Sequence, residues 1–133
     1  MKVLLTGGTG FLGRYVRHEL GKRGIRTVLV GRARPSGQPD DFITCDLLDR
    51  ADLARAVEAA CASHLLHLAW YTEHGKFWEA KENLQWLRAS VDLVDAFGSF
   101  GGRRMVIAGT CAEYDWSDGR CLEASTPLQP TML

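Results

Sequence analysis

The 133-residue chain lacks several features that would place it in a specialised class of protein. Its formal net charge is zero, so no global basic field attracts nucleic acid and no acidic tail is present. Apolar runs are only a few residues long, far short of a membrane span. The apolar start Val3-Leu4-Leu5 is broken at once by Thr6-Gly7-Gly8, which leaves no apolar core for a signal peptide. We therefore expect a cytoplasmic protein that binds neither nucleic acid nor a membrane.

The four cysteines do not form a C-x-x-C pair, which argues against a zinc ribbon or a thioredoxin-type site. In a cytosolic protein we expect free thiols, some of them buried. His64 and His67 have an H-x-x-H spacing inside an apolar run that is typical of a strand. Because residues three apart on a strand face opposite sides, we do not expect these histidines to share a metal ion.

Short apolar runs alternate with amphipathic segments along the whole chain. Strands are predicted at residues 3–5, 27–30, 42–45, 65–69 and 105–108. The alternation predicts a Rossmann-type, doubly wound parallel sheet of about five strands, with helices on both faces. The connection between the second and third strands is left open as a loop or a short turn. Residues 109–133, with Pro127 and Pro130, are predicted to be loop.

Three helices are predicted between these strands from the spacing of their apolar residues. One begins after a cap at Asp49, and a long one covers about 77–97. The predicted apolar stripe of the first helix contains Phe11, Leu12, Tyr15, Val16 and Leu20. That of the second contains Leu53, Ala56, Val57 and Ala60, and that of the third contains Leu84, Leu87, Val91 and Val94, with Trp86 as a further candidate.

A G-x-x-G-x-x-G segment joins the first predicted strand to the first predicted helix. Gly7 would allow the tight turn, Gly10 the close approach of backbone to a pyrophosphate, and Gly13 the close packing of helix on sheet. The helix N-terminus, with Phe11 and Leu12, would present unpaired N–H groups and a partial positive charge to the phosphates. This context predicts a nicotinamide-dinucleotide site, the alternative being a glycine-rich turn without a ligand.

The second predicted strand ends on an arginine where an acid would select NAD. An acidic side chain here accepts hydrogen bonds from the adenosine 2′-hydroxyl, whereas an arginine accommodates a 2′-phosphate. Because the strand ends Val30-Gly31-Arg32 and Arg34 follows, the sequence favours NADP, with NAD as the alternative. Arg32 as a solvated loop cation, or as a stacking partner for adenine, stays open.

These motifs resemble the extended short-chain dehydrogenases/reductases, the NAD-dependent epimerase/dehydratase family that acts mostly on nucleotide sugars. The resemblance covers the whole chain, and the three glycines match the family's T-G-x-x-G-x-x-G fingerprint. Cys45-Asp46-Leu47 matches its short acidic motif after the third strand. The resemblance implies that Asp46 caps the adenine amino group and that the Leu47 N–H assists. A helix or turn cap is the alternative for Asp46.

The end of the fourth predicted strand resembles the family's H-x-A-[GA] segment. The resemblance implies that the backbone of Leu68, Ala69 and Trp70 lies against the cofactor ribose and pyrophosphate. Trp70 is larger than the usual small residue, and ordinary packing is an equal alternative for it. Thr72 falls where the family often places a polar contact.

The end of the fifth predicted strand resembles the family's S-[ST]-x-x-x-Y segment, with Thr110 four residues before Tyr114. The resemblance implies that Thr110 is the catalytic Ser/Thr, whose hydroxyl hydrogen-bonds the reacting substrate oxygen. An ST-turn that closes the strand is the alternative. The family's helical asparagine is replaced by Trp86, and Asn83 lies one turn earlier, so its role is not carried over.

The family's acid/base pair, Tyr-x-x-x-Lys, does not occur in this sequence. Its lysine lowers the tyrosine pKa by its charge and orients the nicotinamide ribose. We therefore expect residues 1–133 to form an incomplete NAD(P)-binding Rossmann domain without its C-terminal substrate-binding part, inactive by itself. An open sheet edge next to the fifth strand is expected to cause self-association.

Two ligand-binding functions follow from these observations, and a purely structural α/β domain with an empty glycine loop is the third alternative. The first is the NAD(P)-binding portion of a nucleotide-sugar epimerase, dehydratase or reductase, with a nucleotide sugar as the small-molecule substrate of the full-length form. The second is a non-enzymatic dinucleotide-binding or redox-sensing module. The fold alone does not choose between them.

Overall fold

The computed structural model describes residues 1–34 and 41–130. Its five strands form one parallel sheet: β1 (Lys2–Thr6), β2 (Arg26–Gly31), β3 (Asp41–Thr44), β4 (His64–His67) and β5 (Arg104–Ile107). The spatial order is β3-β2-β1-β4-β5, so the winding direction reverses between β1 and β4. The predicted Rossmann-type sheet is confirmed. Part of the predicted loop between β2 and β3 lies outside the described residues.

Three α-helices connect the strands: α1 (Phe11–Lys22), α2 (Arg50–Ala60) and α3 (Glu82–Ser99). Asp49 caps α2 as predicted, because its side chain accepts hydrogen bonds from the N–H groups of Ala51 and Asp52. The third helix begins later than predicted, after a 3-10 turn at Phe77–Glu79. Ala80 has an extended backbone, which separates this turn from α3.

The main core lies between the sheet and the helices α2 and α3. Leu4 of β1 lies opposite Val28 of β2 and Leu65 of β4, and all three face this core. The helices contribute buried apolar side chains to it: Leu53, Ala56, Val57 and Ala60 from α2, and Leu93 and Phe97 from α3. Leu5 and Leu29 point to the other face of the sheet, where Gly8 of the loop after β1 packs against them.

The apolar stripe predicted for α1 is wrong on three of its five members. Phe11, Leu12 and Tyr15 are 69%, 56% and 58% exposed. The helix is buried at Gly13, with Val16 half-buried further along, because close approach at the glycine rotates the larger residues outward. The exposed rings of Phe11 and Tyr15 are partly covered by the guanidinium of Arg14 at 5.2 and 5.4 Å from their centroids.

The stripe predicted for α3 is also wrong on three of its members. Leu84, Leu87 and Val91 are exposed, while the buried side is formed by Asn83, Ala89, Leu93 and Phe97. Asn83, which is polar, and Ala89, which is small, thus occupy two of the four buried positions of α3. A sequence pattern based on large apolar residues does not detect such positions. The physical reason is local, because Asn83 is hydrogen-bonded inside the protein and Ala89 allows close packing.

The strand β5 lies at the edge of the sheet and is poorly covered. Met105, Val106 and Ile107 are 38%, 57% and 46% exposed. After β5 the chain forms a 3-10 turn at Cys111–Glu113 and an isolated antiparallel bridge between Tyr114 and Leu128. The predicted irregular structure after β5 is confirmed up to residue 130. Within the described ranges no helix is long and apolar enough to cross a membrane.

Candidate functional site

The candidate site lies where the winding of the sheet reverses, at the carboxyl ends of β1 and β4. In open α/β sheets this crevice is the usual ligand-binding place, because the loops that leave the two strands diverge there. The glycine loop follows β1, and Leu68 to Trp70 follow β4. The ends of β2 and β5 point to the same edge because all five strands are parallel.

The glycine loop is held by direct backbone contact, which only glycine permits. Gly7 has a φ of +68°, and a methyl group there would lie 2.6 Å from the carbonyl carbon of Leu68. A methyl group at Gly13 would overlap the carbonyl oxygen of Gly7. Gly10 donates its N–H to that same carbonyl at 3.0 Å, which closes the turn. The tight turn predicted for Gly7 therefore agrees with the geometry, and the close packing predicted for Gly13 is observed against Gly7 and Gly8 of the loop.

The amino end of α1 has no side-chain cap, in contrast to that of α2. Gly10 occupies the N-cap position and supplies no side-chain oxygen, and the first turn contains no acidic residue. The N–H groups of Phe11, Leu12 and Gly13 have no carbonyl four residues earlier within the helix. Such an end carries a partial positive charge and accepts anions.

The ends of β1 and β4 are joined by a buried hydrogen-bond network. Thr6 and His67 are buried, and the Thr6 Oγ1 lies 2.5 Å from the His67 Nδ1. The His67 Nε2 lies 2.9 Å from the Ser90 Oγ on α3, and the N–H of Ala69 donates to the Thr6 Oγ1 at 3.4 Å. Burial lowers the pKa of His67. A polar residue inside an apolar strand was the only sequence signal for this network.

Trp70 is fastened to α3 by an asparagine. Its indole N–H donates to the Asn83 Oδ1 at 3.1 Å, and the Asn83 Nδ2 donates to the carbonyl of Phe77 at 2.7 Å. Trp70 nevertheless stays 41% exposed at the carboxyl end of β4. Asn83 thus holds both Trp70 and the 3-10 turn by hydrogen bonds. Its position on the helix did not predict this role.

Asp46 lies after β3 and forms a turn of its own. Its Oδ1 accepts from the Leu48 N–H at 3.1 Å, and its N–H donates to the Asp52 Oδ2 at 2.7 Å. That hydrogen bond is the main cause of a lowered pKa of Asp52, and the adjacent Arg55 lowers it further. The turn-cap alternative for Asp46 is therefore observed. Leu47 is buried, which holds the backbone of this segment against the core.

Two arginines follow the end of β2. Arg32 is exposed and makes no ion pair with the part of the chain that the structure describes. The guanidinium of Arg34 lies over the ring of Phe42 at 5.5 Å from its centroid. Arg32 therefore has a side chain that is available to an anion at this edge of the sheet.

Thr110 lies beyond the end of β5 and closes an ST-turn. Its Oγ1 accepts from the N–H of Ala112 at 3.2 Å, so the hydroxyl hydrogen stays available as a donor. Thr72 is exposed in the loop after β4. In the same loop the Tyr71 hydroxyl donates to Glu73 at 2.7 Å, which raises the pKa of Tyr71 to about 12. A tyrosine with a raised pKa is a poor substitute for the family's acid/base tyrosine.

A family model for the NAD dependent epimerase/dehydratase family matches residues 3–132. The chain belongs to this family. The match includes the glycine loop, the carboxyl ends of all five strands and Thr110, so the family assignment covers every segment of the candidate site.

Solved structures have the same fold over this chain. UDP-glucose 4-epimerase of Thermus thermophilus, solved with NAD, superposes with a TM-score of 0.81 at 23% identity, over 99% of this chain and 45% of its own. The Bordetella bronchiseptica enzyme WbmG, solved with NAD and UDP, gives 0.81 at 20% identity, over 98% and 44%. The chain thus spans less than half the length of these proteins, and the likeness at this identity shows the fold.

One curated protein matches over a shorter stretch. It is a chloroplastic divinyl chlorophyllide a 8-vinyl-reductase of Zea mays, 45% identical over 58 residues, which are 41% of this chain and 13% of the maize protein. This relative is named as a vinyl reductase, whereas the Thermus thermophilus protein is named as a UDP-glucose 4-epimerase.

Proposed function

We propose that this chain binds an NAD(P) dinucleotide and is the dinucleotide-binding part of an oxidoreductase that acts on a nucleotide sugar. The observation that carries the proposal is the uncapped amino end of α1 directly above the Gly7–Gly10 loop, at the reversal point of the sheet. A pyrophosphate there would accept hydrogen bonds from the first N–H groups of α1. The bound dinucleotide would supply the hydride donor or acceptor.

The other carried-over residues extend this site along the sheet edge. The Asp46 carboxylate and the Leu47 N–H would face adenine, and the backbone of Leu68, Ala69 and Trp70 would face the ribose and pyrophosphate. Asp46 uses its Oδ1 inside its own turn, which leaves the Oδ2 as the acceptor for an amino group. In this arrangement Thr72 supplies a polar contact from the loop after β4.

Arg32 supports NADP over NAD in this proposal, because it is exposed at the end of β2 and has no acidic neighbour in the strand. Titration of the chain with NADPH and with NADH, followed by nicotinamide fluorescence, is the first test. We expect tighter binding of NADPH. Arg32→Ala should weaken NADPH binding about 10- to 100-fold, since a charge-assisted hydrogen bond contributes roughly 1.5–3 kcal/mol, and should leave NADH binding unchanged.

The matched control for this charge removal is Arg23→Ala, because Arg23 is exposed at the carboxyl end of α1, away from the proposed site. It should leave both affinities unchanged. An Arg32→Ala variant that binds NADPH as the wild type does would overturn the NADP preference while leaving the dinucleotide site intact. Absence of binding to both dinucleotides would overturn the proposed function.

Thr110 is the proposed catalytic residue of the intact enzyme. Its hydroxyl oxygen is engaged by the Ala112 N–H, so its hydrogen would be directed to the reacting oxygen of the sugar. The Tyr-x-x-x-Lys pair is absent from residues 1–133, and we propose that these residues are an incomplete NAD(P)-binding domain, inactive alone. The substrate-binding part would correspond to the portion of the solved relatives that this chain does not span.

A second candidate is a non-enzymatic dinucleotide-binding or redox-sensing module, and the absence of a Tyr-x-x-x-Lys pair from residues 1–133 favours it for this chain. Mixing the chain with oxidised dinucleotide and a UDP sugar, and following the reduced nicotinamide, tests whether residues 1–133 are inactive alone. Hydride transfer would support the enzyme candidate and overturn the proposed inactivity of this chain, whereas binding without turnover is expected of this chain under both candidates.

We also propose that the exposed apolar residues of β5 cause self-association, because an uncovered edge strand offers unpaired backbone groups beside apolar side chains. Val106→Lys should reduce the association. Sedimentation at high concentration checks this, and a wild-type chain that remains a monodisperse monomer would contradict it.

A further inference from the structure

The buried network of Thr6, His67 and Ser90 has a single consistent direction of hydrogen bonding. The Ser90 hydroxyl donates to the carbonyl of Trp86 at 2.8 Å, so its oxygen must accept from the His67 Nε2 at 2.9 Å. The His67 Nδ1 then carries no hydrogen and accepts from the Thr6 hydroxyl at 2.5 Å.

The last link of this chain reaches the backbone of the candidate site. The Thr6 hydroxyl, having donated to His67, accepts from the N–H of Ala69. Thr6 is followed by Gly7, and Ala69 is one of the residues after β4. A methyl group at Gly7 would lie 2.7 Å from the Ala69 nitrogen, so the two loops are in direct contact at this point.

We propose that His67 is a positioning residue for dinucleotide binding: as a neutral imidazole with hydrogen on Nε2, it orients the Thr6 hydroxyl and thereby sets the spacing between the glycine loop and the Leu68–Trp70 backbone. The inference rests on the proposed function and adds to it a residue that touches no ligand. His67 is buried, and its ring nitrogens are both engaged within the protein.

A positively charged His67 would break this arrangement, because both ring nitrogens would then be donors. The Nδ1–H would point at the Thr6 oxygen, and the Thr6 hydrogen would need another acceptor. The loop spacing therefore depends on a neutral ring, and any change that removes the Thr6 hydroxyl leaves both His67 and the Ala69 N–H without their partner.

The test compares Thr6→Val with Thr6→Ser. Valine has nearly the shape of threonine but no hydroxyl, whereas serine keeps it. We expect Thr6→Val to weaken dinucleotide binding about tenfold, and Thr6→Ser to stay within about twofold of the wild type. Thr27→Val is the matched control, because Thr27 is a buried threonine on β2 whose hydroxyl bonds the Ile25 carbonyl, outside the site.

A merely structural role would lower the denaturation midpoint of Thr6→Val and Thr27→Val alike and move neither affinity. Loss of affinity confined to Thr6→Val supports the proposal, and equal affinity in Thr6→Val and wild type overturns it. Where Thr6→Val does not fold, Ser90→Ala replaces it. This variant removes the acceptor of the His67 Nε2–H. Ser90 lies on α3 and has no hydrogen bond to either loop, so the variant should weaken dinucleotide binding severalfold only through His67.

Nitrogen-15 spectra of the imidazole give a readout that needs no ligand. The proposal requires the Nε2–H tautomer in the wild type, and shifted amide signals for Gly7 and Ala69 in Thr6→Val. An Nδ1–H tautomer overturns it. A wild-type chain that binds no dinucleotide refutes the proposed function, and the tautomer and the amide shifts then decide the positioning role separately.

Discussion

The strands β1 and β5 have similar sequences and opposite environments. Both are short, apolar and parallel to β4, yet Val3, Leu4 and Leu5 are buried while the apolar residues of β5 are all exposed. β1 has a strand on each side and packed helices, whereas β5 has a strand on one side only in the described part of the chain. An apolar run therefore predicts a strand, but the position of the strand in the sheet determines its burial.

Glycine substitutions next to β1 and next to β5 are expected to differ most in their effect on the free energy of unfolding. Gly13→Ala should reduce the free energy of unfolding by on the order of 3 kcal/mol or more, or prevent folding, because its methyl group meets the backbone of Gly7 and Gly8. Gly109→Ala, after β5, meets only the Glu113 carboxylate at 3.7 Å and should change stability by less than about 1 kcal/mol. Denaturant unfolding measures both, and equal losses would contradict the comparison.

Apolar truncations should give the next largest difference. Leu5→Ala removes a fully buried side chain and should reduce the free energy of unfolding by about 2–5 kcal/mol. Val106→Ala removes a side chain that is already more than half exposed, and about 0.5 kcal/mol is expected. The same urea titration applies to both. A large loss in Val106→Ala would mean that β5 is covered in solution by self-association.

Thiol reactivity should separate the regions without a change in stability. Burial is the main cause that raises the pKa of Cys45 to about 12, and the negative charges of Asp52 and Asp46 add to it. Cys111, after β5, is exposed. Because the thiolate is the reactive form, Cys45 should react with iodoacetamide only after unfolding. Mass spectrometry of the native and denatured chain assigns each site, with Cys111→Ser as the control. Rapid native labelling of Cys45 would show that the core opens locally.

The smallest expected effect is a pH dependence of stability from His67. Burial lowers its pKa below 6.5, so the folded state binds fewer protons than the unfolded state. The contribution of neutral His67 to the free energy of unfolding is fully present above pH 6.5 and is lost as the pH falls through the lowered pKa. His67→Gln, which is neutral at every pH, should therefore show a shallower loss of unfolding free energy over mildly acidic pH. Parallel curves for variant and wild type would contradict this.

Much of the central region could be predicted from its sequence because local pattern and tertiary role coincide there. The strands to within one or two residues, the Asp49 cap and the close approach at Gly7 and Gly13 each follow from residues that serve one purpose. The family resemblance is confirmed by the match over residues 3–132. The roles of Arg32 and Thr110 toward ligands stay predictions.

The wrong stripes on α1 and α3 have a common physical cause. On both helices a small or polar residue is buried against the rest of the protein, Gly13 on one and Asn83 on the other. A hydrophobic pattern gives most weight to large apolar residues and so selects the opposite side, here Phe11 and Leu84. The hydrogen-bond network of His67 was not predicted for a related reason, since its partners Thr6 and Ser90 are 61 and 23 residues away in the chain.

If the proposed ligand binds, the missing cap on α1 would link the lifetime of the chain to the supply of that ligand. The first N–H groups of α1 have no hydrogen-bond acceptor from a capping side chain. A bound anion would supply the missing acceptors, so ligand binding would stabilise the folded state. At a free dinucleotide concentration of 100 times the dissociation constant, the folded state would gain about 2.7 kcal/mol. Proteolysis through the unfolded state would then slow about a hundredfold, and the amount of protein in a cell would follow the dinucleotide pool.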